Sequence, residues 1–260
     1  MQIEEKVKTA EKKVADVISR SGHHLGGYKG YTRPGRDEAL NRYIDHTLLK
    51  PEARAEDFEK TYREAAEWHT YSVCVPPNRT VEALKALSGT DVKVCTVIGF
   101  PLGYQLPEVK AREAAVLAEK GCHEFDMVLP VGLLKDRNIP GVFRDIQAVA
   151  EAVPGRILKV ILETGLLSEE EKIIGGITAL YAGAAILKTS TGFAGSGATE
   201  EDIRLLRVIA GGRAGVKAAG GIKDADFAKA LIKAGADRIG ASSTGVILGK
   251  DEPKGNVSAY

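Results

Sequence analysis

The chain has 260 residues, 44% of them hydrophobic, with 36 lysines and arginines against 35 aspartates and glutamates. This near-balance excludes the basic stripe of a nucleic-acid groove and the one-signed face of a membrane-surface protein. No run of about 18 apolar residues is present to span a bilayer.

Cys74, Cys95 and Cys122 are far apart and show no C-x-x-C spacing, which argues against a disulfide framework and for a reducing compartment. The opening Met1-Gln-Ile-Glu-Glu-Lys6 lacks an apolar signal core, so a cytoplasmic protein is expected.

In the first twenty residues Ile3, Val7, Ala10, Val14 and Val17 recur at spacings of four and three, which predicts a helix with a narrow apolar stripe. The stripe suits either a helix laid on the outside of the body or one that pairs with another subunit. Residues 22–36 are glycine-rich and read as an arm, so 1–36 form an extension of helix and arm. His23 and His24 fall in that arm with no ligand cluster nearby, and read as solvated loop residues.

From residue 43 a rhythm begins. Strand-like runs lie near 43–48, 71–75, 92–97, 123–128, 157–162, 184–188, 214–218 and 237–241. Helix-like segments separate them near 56–68, 79–88, 107–120, 140–152, 168–182, 199–210 and 224–234. Thr80, Pro107, Ser168 and Thr199 mark starts, and Gly89, Gly121, Gly183, Gly211 and Gly235 mark stops. Ser168 with Glu171 fits a capping box.

Eight such repeats favour a (β/α)8 barrel over residues 37–249, followed by a polar, mobile tail at 250–260. The competing open doubly wound sheet usually carries G-x-G-x-x-G after its first strand, and that motif is absent.

Barrel chemistry sits at the C-terminal ends of strands. Lys188 would end the sixth strand and Lys217 would lie in the seventh, each in an apolar run before a glycine-rich turn. Adjacent strands are about 4.8 Å apart, so inward-pointing lysines there would be neighbours. Two buried ammonium groups lower each other's pKa, which makes one a nucleophile able to form a Schiff base. The alternative is that both extend to solvent between barrel and helices.

Asp126, mid-run in the fourth strand, needs cationic partners and could shuttle a proton to a substrate hydroxyl; the plainer alternative is a structural ion pair. Asp45 and Lys159 are supporting candidates of the same kind.

The turns after strands seven and eight, with Gly220, Gly221, Gly240, Ser242 and Ser243, offer backbone N–H groups and hydroxyls to a phosphate. Gly192 after strand six adds another donor. A short helix-like stretch follows at Thr244–Leu248. Cys74 and Cys95 read as small buried strand residues. His46 and His69 have no companion at ligand spacing, so no metal is implied.

The motifs Ile44-Asp-His-Thr-Leu-Leu-Lys-Pro51, Val73-Cys-Val-Pro76 and Val94-Cys-Thr-Val-Ile-Gly-Phe-Pro-Leu-Gly103 resemble the deoxyribose-phosphate aldolase family. So do Glu124-Phe-Asp-Met-Val128, Lys159-Val-Ile-Leu-Glu-Thr-Gly165, Lys188-Thr-Ser-Thr-Gly-Phe193, Val216-Lys-Ala-Ala-Gly-Gly-Ile222 and Ile239-Gly-Ala-Ser-Ser243.

The resemblance covers about residues 40–248. It implies a class I aldolase on a (β/α)8 barrel, without cofactor or metal, that cleaves 2-deoxy-D-ribose 5-phosphate to acetaldehyde and D-glyceraldehyde 3-phosphate. It gives Lys188 the Schiff base, Lys217 the tuning of that base and proton movement, and Asp126 the acid/base role. Phe193 stands where some members carry a lysine, which shifts phosphate binding towards backbone groups. The C-terminal Tyr260 is a candidate to fold over the site, as an alternative to a disordered end.

The expected partners are a small-molecule sugar phosphate and acetaldehyde, with no nucleic acid and no membrane. A homo-oligomer, dimer or tetramer, is also expected. Two rivals remain open: a lysine-dependent barrel aldolase acting on a ketose phosphate, and a phosphate-binding barrel without catalysis.

Overall fold

Each strand of this chain is short, apolar and β-branched enough to be buried on both faces, and eight of them close on themselves. The computed structural model describes residues 2–27, 31 and 38–252. The strands are β1 (Ile44–Thr47), β2 (Ser72–Val75), β3 (Lys93–Ile98), β4 (Glu124–Val128), β5 (Ile157–Ile161), β6 (Ile186–Lys188), β7 (Gly215–Ala219) and β8 (Arg238–Ala241). All pair in parallel with their sequence neighbours, and β8 returns to β1, so the sheet is a closed barrel. The expected (β/α)8 fold is the one observed.

Among the described residues the helices are α1 (Ile3–Arg20), α2 (Ala55–Glu67), α3 (Thr80–Ala86), α4 (Pro107–Glu119), α5 (Val131–Lys135), α6 (Ile139–Ala152), α7 (Glu169–Tyr181), α8 (Glu200–Ala210), α9 (Ala225–Ala234) and α10 (Thr244–Ile247). Their ends follow local chemistry. Ser168 and Glu171 form the expected capping box on α7, and the Thr199 hydroxyl accepts from the Asp202 N–H at the start of α8. Gly211 and Gly235 close α8 and α9 at positive φ, where a side chain would be strained.

The one-turn α5 departs from the expected loop. Its span carries Gly132 and follows Pro130, and five residues are too few to show helical periodicity.

α1 lies against α6, α7 and α8. It buries Val7, Val14 and Ile18. Ile18 therefore takes the place expected for Val17 on the apolar stripe, which faces the barrel's own helices. His23 is not fully solvated, since its ring packs 5.2 Å from that of Phe143.

Among the described residues no helix is long and apolar enough to cross a membrane. The large hydrophobic core lies between strands and helices, with Phe125, Met127, Leu158, Val160, Leu187 and Val216 on the outward strand faces. The inward faces carry the charge. The Tyr260 position, most of the tail and part of the arm lie outside the described residues.

Candidate active site

Side chains alternate across a strand, so residues two apart share a face. β4 turns Glu124 and Asp126 inward, and β5, β6, β7, β8 and β1 contribute Lys159, Lys188, Lys217, Arg238 and Asp45 to the same interior. The register brings them level. Asp126 lies opposite Lys159, Lys188 opposite Lys217, and Lys217 opposite Arg238.

Asp126 is the hub. Its Oδ2 accepts hydrogen bonds from Lys188 Nζ at 2.8 Å and Lys217 Nζ at 2.9 Å. Its Oδ1 accepts from Lys159 Nζ at 2.7 Å and from Cys95 Sγ at 3.1 Å. Lys217 Nζ also sits 2.5 Å from Asp45 Oδ2, a charge contact without hydrogen-bond alignment.

Below this layer Lys159 Nζ is 2.8 Å from Glu124 Oε2, and Arg238 spans Glu124 at 3.0 Å and Asp45 at 2.7 Å. The Arg238 guanidinium also covers the Tyr71 ring, 3.1 Å from its centroid. Lys188 retains 3% exposure, while Asp126, Lys159 and Lys217 are fully buried. Lysines that escape to solvent between barrel and helices are therefore not what is observed.

Burial opposes every one of these charges, and the partners overcome it. Burial alone would raise Asp126, but Lys159, Lys188 and Lys217 hold it well below the usual carboxylate range. Asp45 and Glu124 are likewise held low against burial, Asp45 chiefly by Lys217 and Arg238, Glu124 chiefly by Arg238 and Lys159. Lys217 departs from the expectation that adjacent lysines depress each other. Burial pulls it down, yet Asp126 and Asp45 raise it above the ordinary lysine value.

The loops at the strand ends supply a second kind of site. Glu163, with its backbone at φ 58°, turns its carboxylate onto Thr191. It accepts from the Thr191 hydroxyl at 2.5 Å and from the Thr191 N–H at 3.2 Å, which pins the turn after Lys188.

Among the described residues the backbone N–H groups of Gly192, Gly220, Gly221, Ser242 and Ser243 have no protein acceptor. Gly192 and Gly220 lie together, since a Cβ at Gly220 would meet Gly192 Cα at 3.5 Å. Gly240 differs from the rest of the expected phosphate set. It sits inside β8, where a Cβ would meet Lys217 Cε at 2.9 Å, so its missing side chain leaves room for that lysine.

A cleft of about 610 Å³ opens beside these turns, lined by Thr47, Gly220, Gly221, Ser242, Ser243 and Lys223. Asp126, Lys188 and Lys217 do not line it. The lysine cluster lies deeper in the barrel. The donor atoms of Cys74, Cys95 and Asp126 come within 4.8 Å of one another. Three lysines, Lys159, Lys188 and Lys217, already bind the Asp126 carboxylate, which disfavours a dication there.

The model of the DeoC/LacD family of aldolases matches residues 40–253. The chain belongs to that family. As a DeoC/LacD aldolase it is a lyase, and its relatives are alike over nearly their whole length. It is 52% identical over 217 residues to the deoxyribose-phosphate aldolase of Streptococcus gordonii, covering 84% of this chain and 99% of that one.

Among solved structures it resembles a putative deoxyribose-phosphate aldolase from Coccidioides immitis, with a TM-score of 0.81 at 35% identity over 92% of this chain and 97% of that one. It also resembles the deoxyribose phosphate aldolase of Aeropyrum pernix, described as a unique tetramer, with a TM-score of 0.76 at 35% identity over 81% and 89%.

The structure brings together Lys188, Lys217, Asp126, Asp45 and Lys159, all expected from sequence. It adds Glu124, Arg238, Cys95 and Glu163, which were not singled out. Cys95 is more than a small buried residue, since its thiol touches both Asp126 and Lys159. Its position two residues before Val97 on an inward face was the available signal.

Proposed function

We propose that this aldolase reversibly cleaves 2-deoxy-D-ribose 5-phosphate to acetaldehyde and D-glyceraldehyde 3-phosphate through a Schiff base on Lys188. The observation that carries this is one carboxylate oxygen, Asp126 Oδ2, held by two lysines at 2.8 and 2.9 Å. A charge count supports it. Lys159, Lys188, Lys217 and Arg238 face Asp45, Glu124 and Asp126, which is four cations against three anions. The buried network thus holds one cation in excess of its anions.

The free amine of Lys188 adds to C1 of the open-chain sugar, and loss of water leaves an iminium, an electron sink. Asp126 Oδ2, which faces the iminium nitrogen, then takes the C3 hydroxyl proton, directly or through water. The C2–C3 electron pair flows into the iminium, D-glyceraldehyde 3-phosphate departs, and an enamine remains on Lys188. Protonation at C2 followed by addition of water releases acetaldehyde and regenerates the amine. Lys217 orients Asp126, and once Asp126 has taken the C3 hydroxyl proton the charge that raised Lys217 is gone and Lys217 can donate the proton that C2 requires.

The free N–H groups of Gly192, Gly220, Gly221, Ser242 and Ser243 favour them as the phosphate cradle, with the Ser242 and Ser243 hydroxyls beside them. The phosphate fixes which carbon meets Lys188, and such positioning is worth several kcal/mol of barrier. Assembly into a homo-oligomer, dimer or tetramer, accompanies this reading, supported by the tetrameric relative from Aeropyrum pernix.

Turnover of 2-deoxyribose 5-phosphate, followed as acetaldehyde released, tests the proposal. The wild type should turn over and Lys188→Leu should not. A folded wild type that binds the sugar phosphate but releases no acetaldehyde would contradict it.

A further inference from the structure

β1 serves two sides of the barrel wall. Asp45 points inward to Lys217 and Arg238, while the next residue, His46, points outward and is nearly buried. His46 Nδ1 lies 2.8 Å from Thr244 Oγ1, and its Nε2 lies 3.3 Å from Glu64 Oε2 on α2. The Thr244 hydroxyl also reaches Ala241 O at 3.1 Å, so one hydroxyl ties the ring to the turn. Thr244 directly follows Ser242 and Ser243, and its bond to Ala241 closes the turn that carries their free N–H groups.

The ring is itself held. Trp68 packs 5.5 Å from it, and Glu64 is further fixed by Lys60 at 3.4 Å. Burial would raise Glu64, but the bond and charge of His46 outweigh it and keep the carboxyl below its ordinary value. A chain of fixed contacts therefore runs from α2 through His46 to the turn after β8.

We propose that His46 is a positioning residue for the phosphate-binding turn, acting through the Thr244 hydroxyl to hold the Ser242 and Ser243 N–H groups in place. It thereby sets the preference for a phosphorylated over an unphosphorylated sugar. This rests on the proposed phosphate cradle, because without phosphate at that turn there is nothing for His46 to position.

Steady-state kinetics with 2-deoxyribose 5-phosphate and with 2-deoxyribose separate the two ideas. In His46→Leu and in Thr244→Val, KM for the phosphorylated sugar should rise about tenfold, the factor expected for one buried hydrogen bond lost. For 2-deoxyribose, kcat/KM should stay within about twofold of the wild type, because the reacting end is untouched. His46→Asn, whose amide can still reach Thr244, should recover most of the lost KM. Should His46→Leu fail to fold, Thr244→Val carries the test, since it removes one hydroxyl at constant shape.

A wild type that prefers the phosphorylated sugar, with variants that keep that preference, would overturn the role of His46 alone. So would an equal fall on both sugars. A wild type indifferent to the phosphate would overturn the cradle and this inference with it.

Discussion

Lys188 and Lys217 are register partners on adjacent strands, and both end on the same oxygen of Asp126. Lys188 keeps 3% exposure and Lys217 none, and of the two only Lys217 is also paired with Asp45. Two identical residue types thus sit in different surroundings on one carboxylate oxygen.

Lys217→Met tests the proposed proton donor. Asp126 keeps Lys159 and Lys188, so the fold should survive, as a circular-dichroism melt would show. The loss of a positioned proton donor should lower kcat by about 10²–10⁴-fold. A folded variant with less than a tenfold loss would argue that Lys217 only fills space.

Asp126→Asn tests the hub. It leaves three buried cations around a neutral amide, and should destabilise the fold by about 3–5 kcal/mol at neutral pH. The pH dependence has a definite sign. Asp126, Asp45 and Glu124 are all lower when folded than in an unfolded chain, where an aspartate titrates near 3.8. Their stabilisation is therefore present above the unfolded values, 3.8 for aspartate and 4.5 for glutamate, and lost as pH falls below them. Urea unfolding at pH 7, 5, 4 and 3 should show the wild type losing stability more steeply than Asp126→Asn below about pH 4.

The Lys110–Asp145 pair on the outside of the barrel behaves in the opposite sense. Lys110 Nζ donates to Gly103 O at 2.7 Å, to Val128 O at 3.0 Å and to Asp145 at 2.8 Å. Burial pushes Asp145 up to about 6, and Lys110 offsets only part of that. A carboxyl raised on folding stabilises most below its unfolded value, and that contribution is lost as pH rises through the folded one. The wild type should lose about 2 kcal/mol relative to Asp145→Asn between pH 4 and 6. A difference that stays flat or grows over that window would contradict this.

Gly240→Ala probes space next to Lys217. The added methyl would stand 2.9 Å from Lys217 Cε and 3.1 Å from Ala219 Cβ. Lys217 is bound at its tip to Asp126 and Asp45, so it can yield only by loosening those contacts. Turnover should fall about tenfold or more, with the phosphate-dependent KM changed much less. An effect confined to KM would return Gly240 to the phosphate site.

The barrel was legible because its rhythm of apolar runs, caps and glycines repeats eight times, and the lysines because ammonium groups rarely occupy such runs. Glu124 and Arg238 escaped notice because each is the first residue of its strand, where a charge reads as a turn residue. Their parity with Asp126 and Gly240 was the only hint of an inward face. Lys110 was invisible for a different reason. A lysine among Pro107, Glu108 and Arg112 reads as solvated helix surface, and only the folded chain shows it closing over Gly103 and Val128. Cys95 is the register partner of Glu124, and its thiol reaches Asp126 further along β4, a contact that needs the pairing of β3 with β4 as well as the spacing along β3.

Borohydride reduction in the presence of 2-deoxyribose 5-phosphate, followed by peptide mass spectrometry, tests the central claim most directly. The account predicts one reduced two-carbon or sugar-phosphate adduct, on Lys188, and none in Lys188→Leu. An adduct on Lys217 or Lys159, or a turning-over enzyme that yields no adduct at all, would contradict it.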